Sequence, residues 1–436
     1  MKIIKLVILA SVWLPHALQS QGLAPNEESS KQISLSLEYR PRTELRRGYR
    51  SLPNDSSQIA FFTSHRARLN FDYKSNKFIF HTSFQDIRVW GDTDPRDATG
   101  KAQFYEFYVE PILSESLSVR IGRQRVQYDN ERLFAENNWR QAGGQHDAVR
   151  FIYKKNKWQA DVVAAYNQEK ESEYGTAYQI PWDEYRTLLA SFVSFKPSAK
   201  VNLRFINFTD EYTDPGRGDN VGRWKFTNGG RVEYEEGELY FTFAGYYQWG
   251  EIESGKVHQA YYLEPEMKWT INPHYTLRVG AQVFSGDANP DDAKSTAFLA
   301  QYGAFHRYNG RMDYTQKTVR TNEHEGIVNP YLIHDYKLGA KFKLSWESHI
   351  LETQKTIYQQ NDGVSNSLDK FYAWENDFRC RFNPNDYTEL ELAYMFLIPG
   401  ETILMLNTGK GGSKDQTGQF LYVMVTWSPE LINTKH

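Results

Sequence analysis

Arginines stand two residues apart at Arg40 and Arg42, at Arg66 and Arg68, and at Arg379 and Arg381. In an extended chain that spacing puts both guanidiniums of a pair on one face. Arg150, Arg204, Arg231 and Arg278 hold matching positions in other runs of alternating polarity. A guanidinium is always charged and offers a planar fork of donors to a carboxylate or phosphate. Glu38, Glu106, Glu233, Glu264, Glu266, Glu389 and Glu391 fall on the same faces by the same count. Two uses fit such surfaces. Rings of charge along a water-filled passage set its ionic preference. A ladder of internal salt bridges fills an enclosed space and does nothing more. The spacing supports both.

Other chemistry is thinly represented. No Cys and His lie at transition-metal spacing, and the sole cysteine, Cys380, has no neighbouring histidine and no disulfide partner. His306, His324 and His334 fall in or near one external segment, too spread for a recognisable site. The acidic run Asp287–Asp292 clusters oxygen ligands but lacks the spacing of a calcium loop, so it reads as a solvated loop. Gly409–Gly412 lacks the spacing of a phosphate loop. No Ser, His and Asp pattern stands out, though spacing alone does not speak to a hydrolase set into a barrel wall. No metal, cofactor or nucleic acid is expected.

The elements that carry these residues read as strands. In Ile59–Tyr73, Ile59, Phe61, Leu69, Phe71 and Tyr73 alternate with Ser64, Arg66, Arg68, Asn70 and Asp72. Trp158–Gln168, Val201–Asp210, Leu239–Trp249, Tyr275–Ser285, Phe371–Phe382 and Thr388–Ile398 alternate in the same way. Most such runs exceed the roughly 9–11 residues that cross a bilayer at a tilt. Aromatic residues form 15% of the chain and recur near run ends, at Tyr39, Trp90, Trp158, Trp249, Trp269 and Trp427, as an interfacial belt requires. The mean hydropathy of -0.67 argues against a bundle of apolar helices. It does not argue against a barrel, whose strands face lipid with every second side chain.

Connections alternate in kind. Lys74–Lys77, Pro111–Ser116, Lys154–Lys157, Lys196–Ala199, Glu235–Glu238, Thr270–His274 and Asn383–Asp386 are tight reversals. Between them lie long polar stretches at Gly48–Gln58, Gly91–Ala102, Asp129–His146, Lys170–Asp183, Tyr212–Gly222, from Ser285 onward, Thr356–Lys370 and Pro399–Gln416. Short turns at one end and long loops at the other define an all-β, transmembrane, up-and-down antiparallel barrel. Parity constrains the strand number. Thirteen crossings run from Ile33 to Ser285, three more follow Thr356, and an even number must lie between. Tyr331–Glu352 is long enough for two, with a turn near Phe342–Leu344, which gives eighteen strands, with sixteen as the alternative. Residues 1–20 read as a secretory signal, with Lys2 and Lys5 before a short apolar run, and residues 21–436 as one barrel. Without that leader 49 basic face 54 acidic residues, so overall charge selects no partner.

Within Val119–Arg150, four pieces stand out: Gly122-Arg123-Gln124, Tyr128 to Leu133, Trp139-Arg140-Gln141 and Asp147 to Arg150. This block resembles the hallmark of the alginate export family of outer-membrane barrels. Gln85 to Asp92 and Phe305 to Asp313 add to the likeness. The resemblance implies a monomeric eighteen-stranded barrel and an arginine-rich conduit for an anionic polysaccharide. Read from its residues alone, the long loop Asp129–His146 has two uses. It can fold back to narrow the lumen, with Arg132 and Arg140 meeting a solute's carboxylates. Alternatively, Asp129, Glu131 and Arg132 pin the loop to the wall. The expected function is a porin-like channel in the bacterial outer membrane, passing anionic saccharides or other small anions. The alternatives are a barrel enzyme acting on lipid or saccharide, and a plugged structural or adhesion barrel.

Overall fold

The structure is a computed structural model that describes residues 31–92, 102–168, 171, 173–174, 185–212, 222–287, 293–315, 324–361, 364–406 and 412–435. The expected leader, most of the acidic run after Asp287 and most of Gly409–Gly412 lie outside the described residues.

Eighteen antiparallel strands close into one barrel. The first thirteen are β1 (Gln32–Arg47), β2 (Ala60–Lys74), β3 (Phe78–Val89), β4 (Gln103–Ser114), β5 (Leu117–Gln124), β6 (His146–Lys155), β7 (Trp158–Tyr166), β8 (Thr187–Phe195), β9 (Val201–Tyr212), β10 (Arg223–Glu236), β11 (Leu239–Glu251), β12 (Val257–Asn272) and β13 (Tyr275–Phe284). β14 (Ile327–Leu338), β15 (Phe342–Thr353), β16 (Phe371–Asn385), β17 (Thr388–Pro399) and β18 (Gly418–Trp427) complete it. Each strand pairs with its sequence neighbours. β18 closes on β1 through Arg47↔Gln419 to Tyr39↔Trp427, and a further segment, Glu430–Lys435, continues the seam to Gln32↔Lys435. Every edge is therefore paired, which a sheet in hydrocarbon requires. Among the described residues no helix is long and apolar enough to cross a membrane.

The faces are inside out relative to a soluble protein. Phe61, Phe107, Phe151, Phe205, Phe243 and Val423 are exposed on the outer face, while Glu44, Ser83, Asp161, Thr227 and Gln248 are buried. Lipid is the solvent that makes this arrangement stable. Near the two rims Trp158 stacks on Phe195 at 4.1 Å and Trp249 on Phe226 at 4.2 Å.

Two connections depart from expectation. The turn between β14 and β15 sits at residues 339–341, three residues earlier than Phe342–Leu344, because Leu338 pairs with Phe342. Gly339, at φ 72°, supplies the left-handed residue the tight reversal needs. On the long-loop side, β11 and β12 are joined by residues 252–256 only, closed by Ile252 N donating to Lys256 O at 3.2 Å.

Gly122 marks a close approach. It stands at φ 125°, and a Cβ there would come within 2.3 Å of Phe107 O on β4. Gly122→Ala is expected to lower the urea midpoint of refolding in detergent, at a cost on the order of 1–3 kcal/mol. An unchanged midpoint would show that β4 and β5 can separate freely there.

Candidate functional site

All ten strand arginines face inward, and most meet carboxylates. Arg42 pairs with Glu44 at 2.7 Å, Arg231 with both Asp129 (2.7 Å) and Glu264 (2.8 Å), and Arg278 with Glu266 at 2.6 Å. Arg66 meets Glu38, and Arg150 meets Asp161. Arg204 reaches Asp129 at 2.8 Å and Glu233 at 3.0 Å. Arg379 meets Glu347, and Arg381 meets Glu391. Arg40 and Arg68 have neutral acceptors instead. Arg40 donates to Gln141 Oε1 and Asn138 Oδ1, both at 3.0 Å, and Arg68 to Gln85 Oε1 at 2.7 Å. Much of this inner face is thus an ion-pair ladder, with exceptions clustered on β1 and β2.

The loop between β5 and β6 folds into the barrel and crosses it. At one end Asp129 receives Arg204 and Arg231 from β9 and β10. At the other, residues 138–142 ride on β1 to β3. Asn138 Oδ1 accepts from Arg66 at 2.8 Å, Gln141 Nε2 donates to Ser64 Oγ at 3.1 Å, and Gln85 Nε2 donates to Ala142 O at 3.1 Å. Arg42 lies over the Trp139 ring at 3.6 Å.

Residues 296–315, expected outside, form a second inward strap. Phe134 stacks on Tyr302 at 5.5 Å, and Trp139 stacks on His306 at 3.5 Å, so the two segments support each other inside the lumen. Ala135 N donates to Tyr302 O and Ala304 N to Glu131 O, both at 2.9 Å. Apolar clusters anchor each side. One gathers Tyr128, Phe134, Phe192, Phe208 and Tyr302, the other Tyr49, Met312, Tyr314, Phe420 and Tyr422. The histidines consequently do not share an external segment. His306 and His324 are buried, and His334 lies on β14 stacked against Trp346 at 4.8 Å.

The loop arginines divide. Arg132 takes the pinning role rather than the constricting one. It is buried, donates to Ala304 O (3.2 Å) and Gln282 Oε1 (3.1 Å), and lies over Phe284 at 4.5 Å. Asp129 and Glu131 pin as well, Glu131 through Arg307 at 3.2 Å. Arg140 differs. It is exposed to a cavity of about 690 Å³ that runs from Trp139, Arg140 and the strap residues Phe305 to Arg311 down to Arg381, Glu389 and Thr426 on the wall. Among the described residues its side chain meets neither a carboxylate nor a hydrogen-bond acceptor. Nothing in the sequence separates Arg132 from Arg140, since both stand in a segment without periodicity.

A closed barrel with lipid-facing apolar residues and inward loops around a charged cavity defines a porin-like protein of the bacterial outer membrane. Within that class the chain belongs to the alginate export family, whose model matches residues 33–412. No curated protein matches the sequence. The fold is similar to solved porins of Pseudomonas aeruginosa. OpdL aligns at a TM-score of 0.61 and 11% identity, over 92% of this chain and 99% of that one. OccK8 (OprE) aligns at 0.59 and 11%, over 92% and 98%. OpdK with vanillate aligns at 0.58 and 10%, over 91% and 98%. At such identities the likeness concerns fold.

Proposed function

We propose that the barrel is a diffusion channel for small anionic solutes, acidic saccharides among them, working without a cofactor. The observation that carries this reading is the unpaired Arg140 guanidinium in a cavity whose other arginines are largely neutralised. A guanidinium with a carboxylate within 3 Å presents little more than a dipole to a passing ion. An unpaired one attracts an anion at 4 Å by about 4 kcal/mol when the effective dielectric constant is near 20. One lone charge can therefore outweigh several paired ones. Trp139, Tyr331 and Tyr422 line the same cavity and offer flat surfaces to a sugar ring or an aromatic acid. Vanillate, named with the similarly folded OpdK, is such an acid.

Reversal potentials across a planar bilayer under a potassium chloride gradient test the proposal. The wild type is expected to prefer anions, and Arg140→Gln to lose most of that preference while still conducting. Cation preference in the wild type would overturn the anionic reading. The inward loops favour one competing reading, a plugged barrel, and silence in all salts would establish it.

A further inference from the structure

A second group of charged side chains meets on the inner wall beneath the strap, and two of its members line the same cavity as Arg140. Glu347 and His349 stand two apart on β15, and Glu375 and Asp377 two apart on β16. Register sets Glu347 opposite Asp377 and His349 opposite Glu375. All four are at most 3% exposed. The strap roofs them. Met312 N donates to Glu375 Oε1 at 2.7 Å, and Arg311 N to Asp377 Oδ2 at 3.1 Å. Gly310 passes so close that a Cβ would lie 2.3 Å from the Glu375 carboxyl carbon.

These contacts leave lone pairs facing one another. Asp377 Oδ1, Glu375 Oε2 and His349 Nε2 are buried with no hydrogen-bond partner. Glu347 Oε1 is taken by Arg379 and by Arg311 at 3.3 Å, while Oε2 faces His349 Nε2 at 3.8 Å. The histidine tautomer follows from its other neighbour. Asn329 Nδ2 donates to Asn309 Oδ1 at 3.1 Å, which turns Asn329 Oδ1 toward His349 Nδ1 at 3.3 Å. Nδ1 then carries the proton and Nε2 a lone pair. Glu347, His349 and Asp377 thus bring potential ligand atoms within 4.8 Å of one another, with Asp377 Oδ1 and His349 Nε2 free of any hydrogen bond. Three carboxylates are set against two guanidiniums, so negative charge is in surplus. A cation held between them relieves both problems. Ligands 2.0–2.2 Å from one ion lie at most about 4.4 Å apart, so a slight closing of the observed set would suffice.

We propose that Glu347, His349 and Asp377 bind a divalent transition-metal ion of the zinc class, with Glu375 beside it. One imidazole with carboxylates selects such ions over magnesium or calcium, which take oxygen alone. Asn329 orients the imidazole, as an outer partner of a metal-bound histidine does. The bound ion ties β15, β16 and the strap together.

The test uses tag-free barrel refolded in detergent, stripped with a chelator and titrated with Co²⁺ and then Zn²⁺. One equivalent of Co²⁺ per chain is expected, with visible absorption that Zn²⁺ abolishes. His349→Gln and Asp377→Asn should lose it, and Asn329→Ala should weaken it about 10–100-fold. X-ray absorption of the loaded wild type should show one imidazole among oxygen ligands, which keeps the proposal testable if a variant fails to refold. No stoichiometric uptake by folded wild type would overturn the proposal in favour of a shared proton, and uptake unchanged in His349→Gln and Asp377→Asn would overturn it in favour of another site. The readout is metal content and spectrum, so a barrel that does not conduct can still carry the site.

Discussion

Asp129→Asn should unlatch the inward loop from the wall and raise the single-channel conductance. The Asp129 side chain is 2% exposed and receives Arg204 at 2.8 Å and Arg231 at 2.7 Å, so one carboxylate holds two strands to one loop. It stands at φ 54°, a left-handed conformation that asparagine tolerates, so the substitution removes charge without adding backbone strain. Breaking a buried ion pair from one side costs about 3–5 kcal/mol. That figure is an upper bound here, because Glu264 and Glu233 keep one contact each to the stranded arginines. The far end of the loop stays attached through Asn138 and Gln141, so the expected record shows large, flickering openings rather than a fixed wide pore. Arg307→Gln is the control. Its pair with Glu131 is half in solvent, and such pairs contribute about 0–1 kcal/mol. Equal conductance and equal refolding midpoints for Asp129→Asn and wild type would show that the Asp129 ion pairs do not hold the loop.

The barrel was legible because lipid and lumen impose a two-residue period on every strand. That period assigned the faces of Arg66 and Arg68 against Phe61 and Leu69. Parity then allowed none or two strands before residue 356, and the length of the strand-like stretch 331–352 selected two. The β14–β15 turn was placed late because a following apolar run masked Gly339. The loops were another matter. Whether a loop folds inward depends on contacts such as Trp139 on His306, joined by no pattern in the chain and 167 residues apart in numbering. The same holds for Arg132 and Arg140, alike in sequence and opposite in surroundings. The cluster on β15 and β16 escaped a search by spacing for a related reason. Its side chains meet through sheet register, which brings Glu347 to Asp377 across a loop.

Acidification should loosen the strap between about pH 6.5 and pH 4, and His306 with His324 sets that window. Burial between Trp139 and the wall lowers the His306 pKa to about 4, despite the opposing pull of Asp313 at 3.1 Å. Burial likewise lowers His324 to about 4, where its Nε2 donates to Phe298 O at 3.1 Å. Both imidazoles are neutral when packed and would regain an ordinary pKa near 6.5 when released. Above pH 6.5 neither state binds the proton, and the packed strap keeps its full stability. Below it the released strap gains protons that the packed one excludes, and packing loses about 1.4 kcal/mol per pH unit per histidine. Below about pH 4 both states are protonated and the loss stops. Asp313 acts elsewhere. Its pKa is lowered to about 2, against the cost of its burial, by His306, Tyr49 and Arg50, so its contribution fades only below about pH 4. Conductance of the wild type is therefore expected to rise as pH falls from 7 to 4.5. His306→Phe preserves a ring against Trp139 but cannot take a proton, so roughly half the pH dependence should vanish. Adding His324→Gln should remove the rest. A wild type flat across this range, or a slope unchanged in the double variant, would show that other groups hold the strap in place.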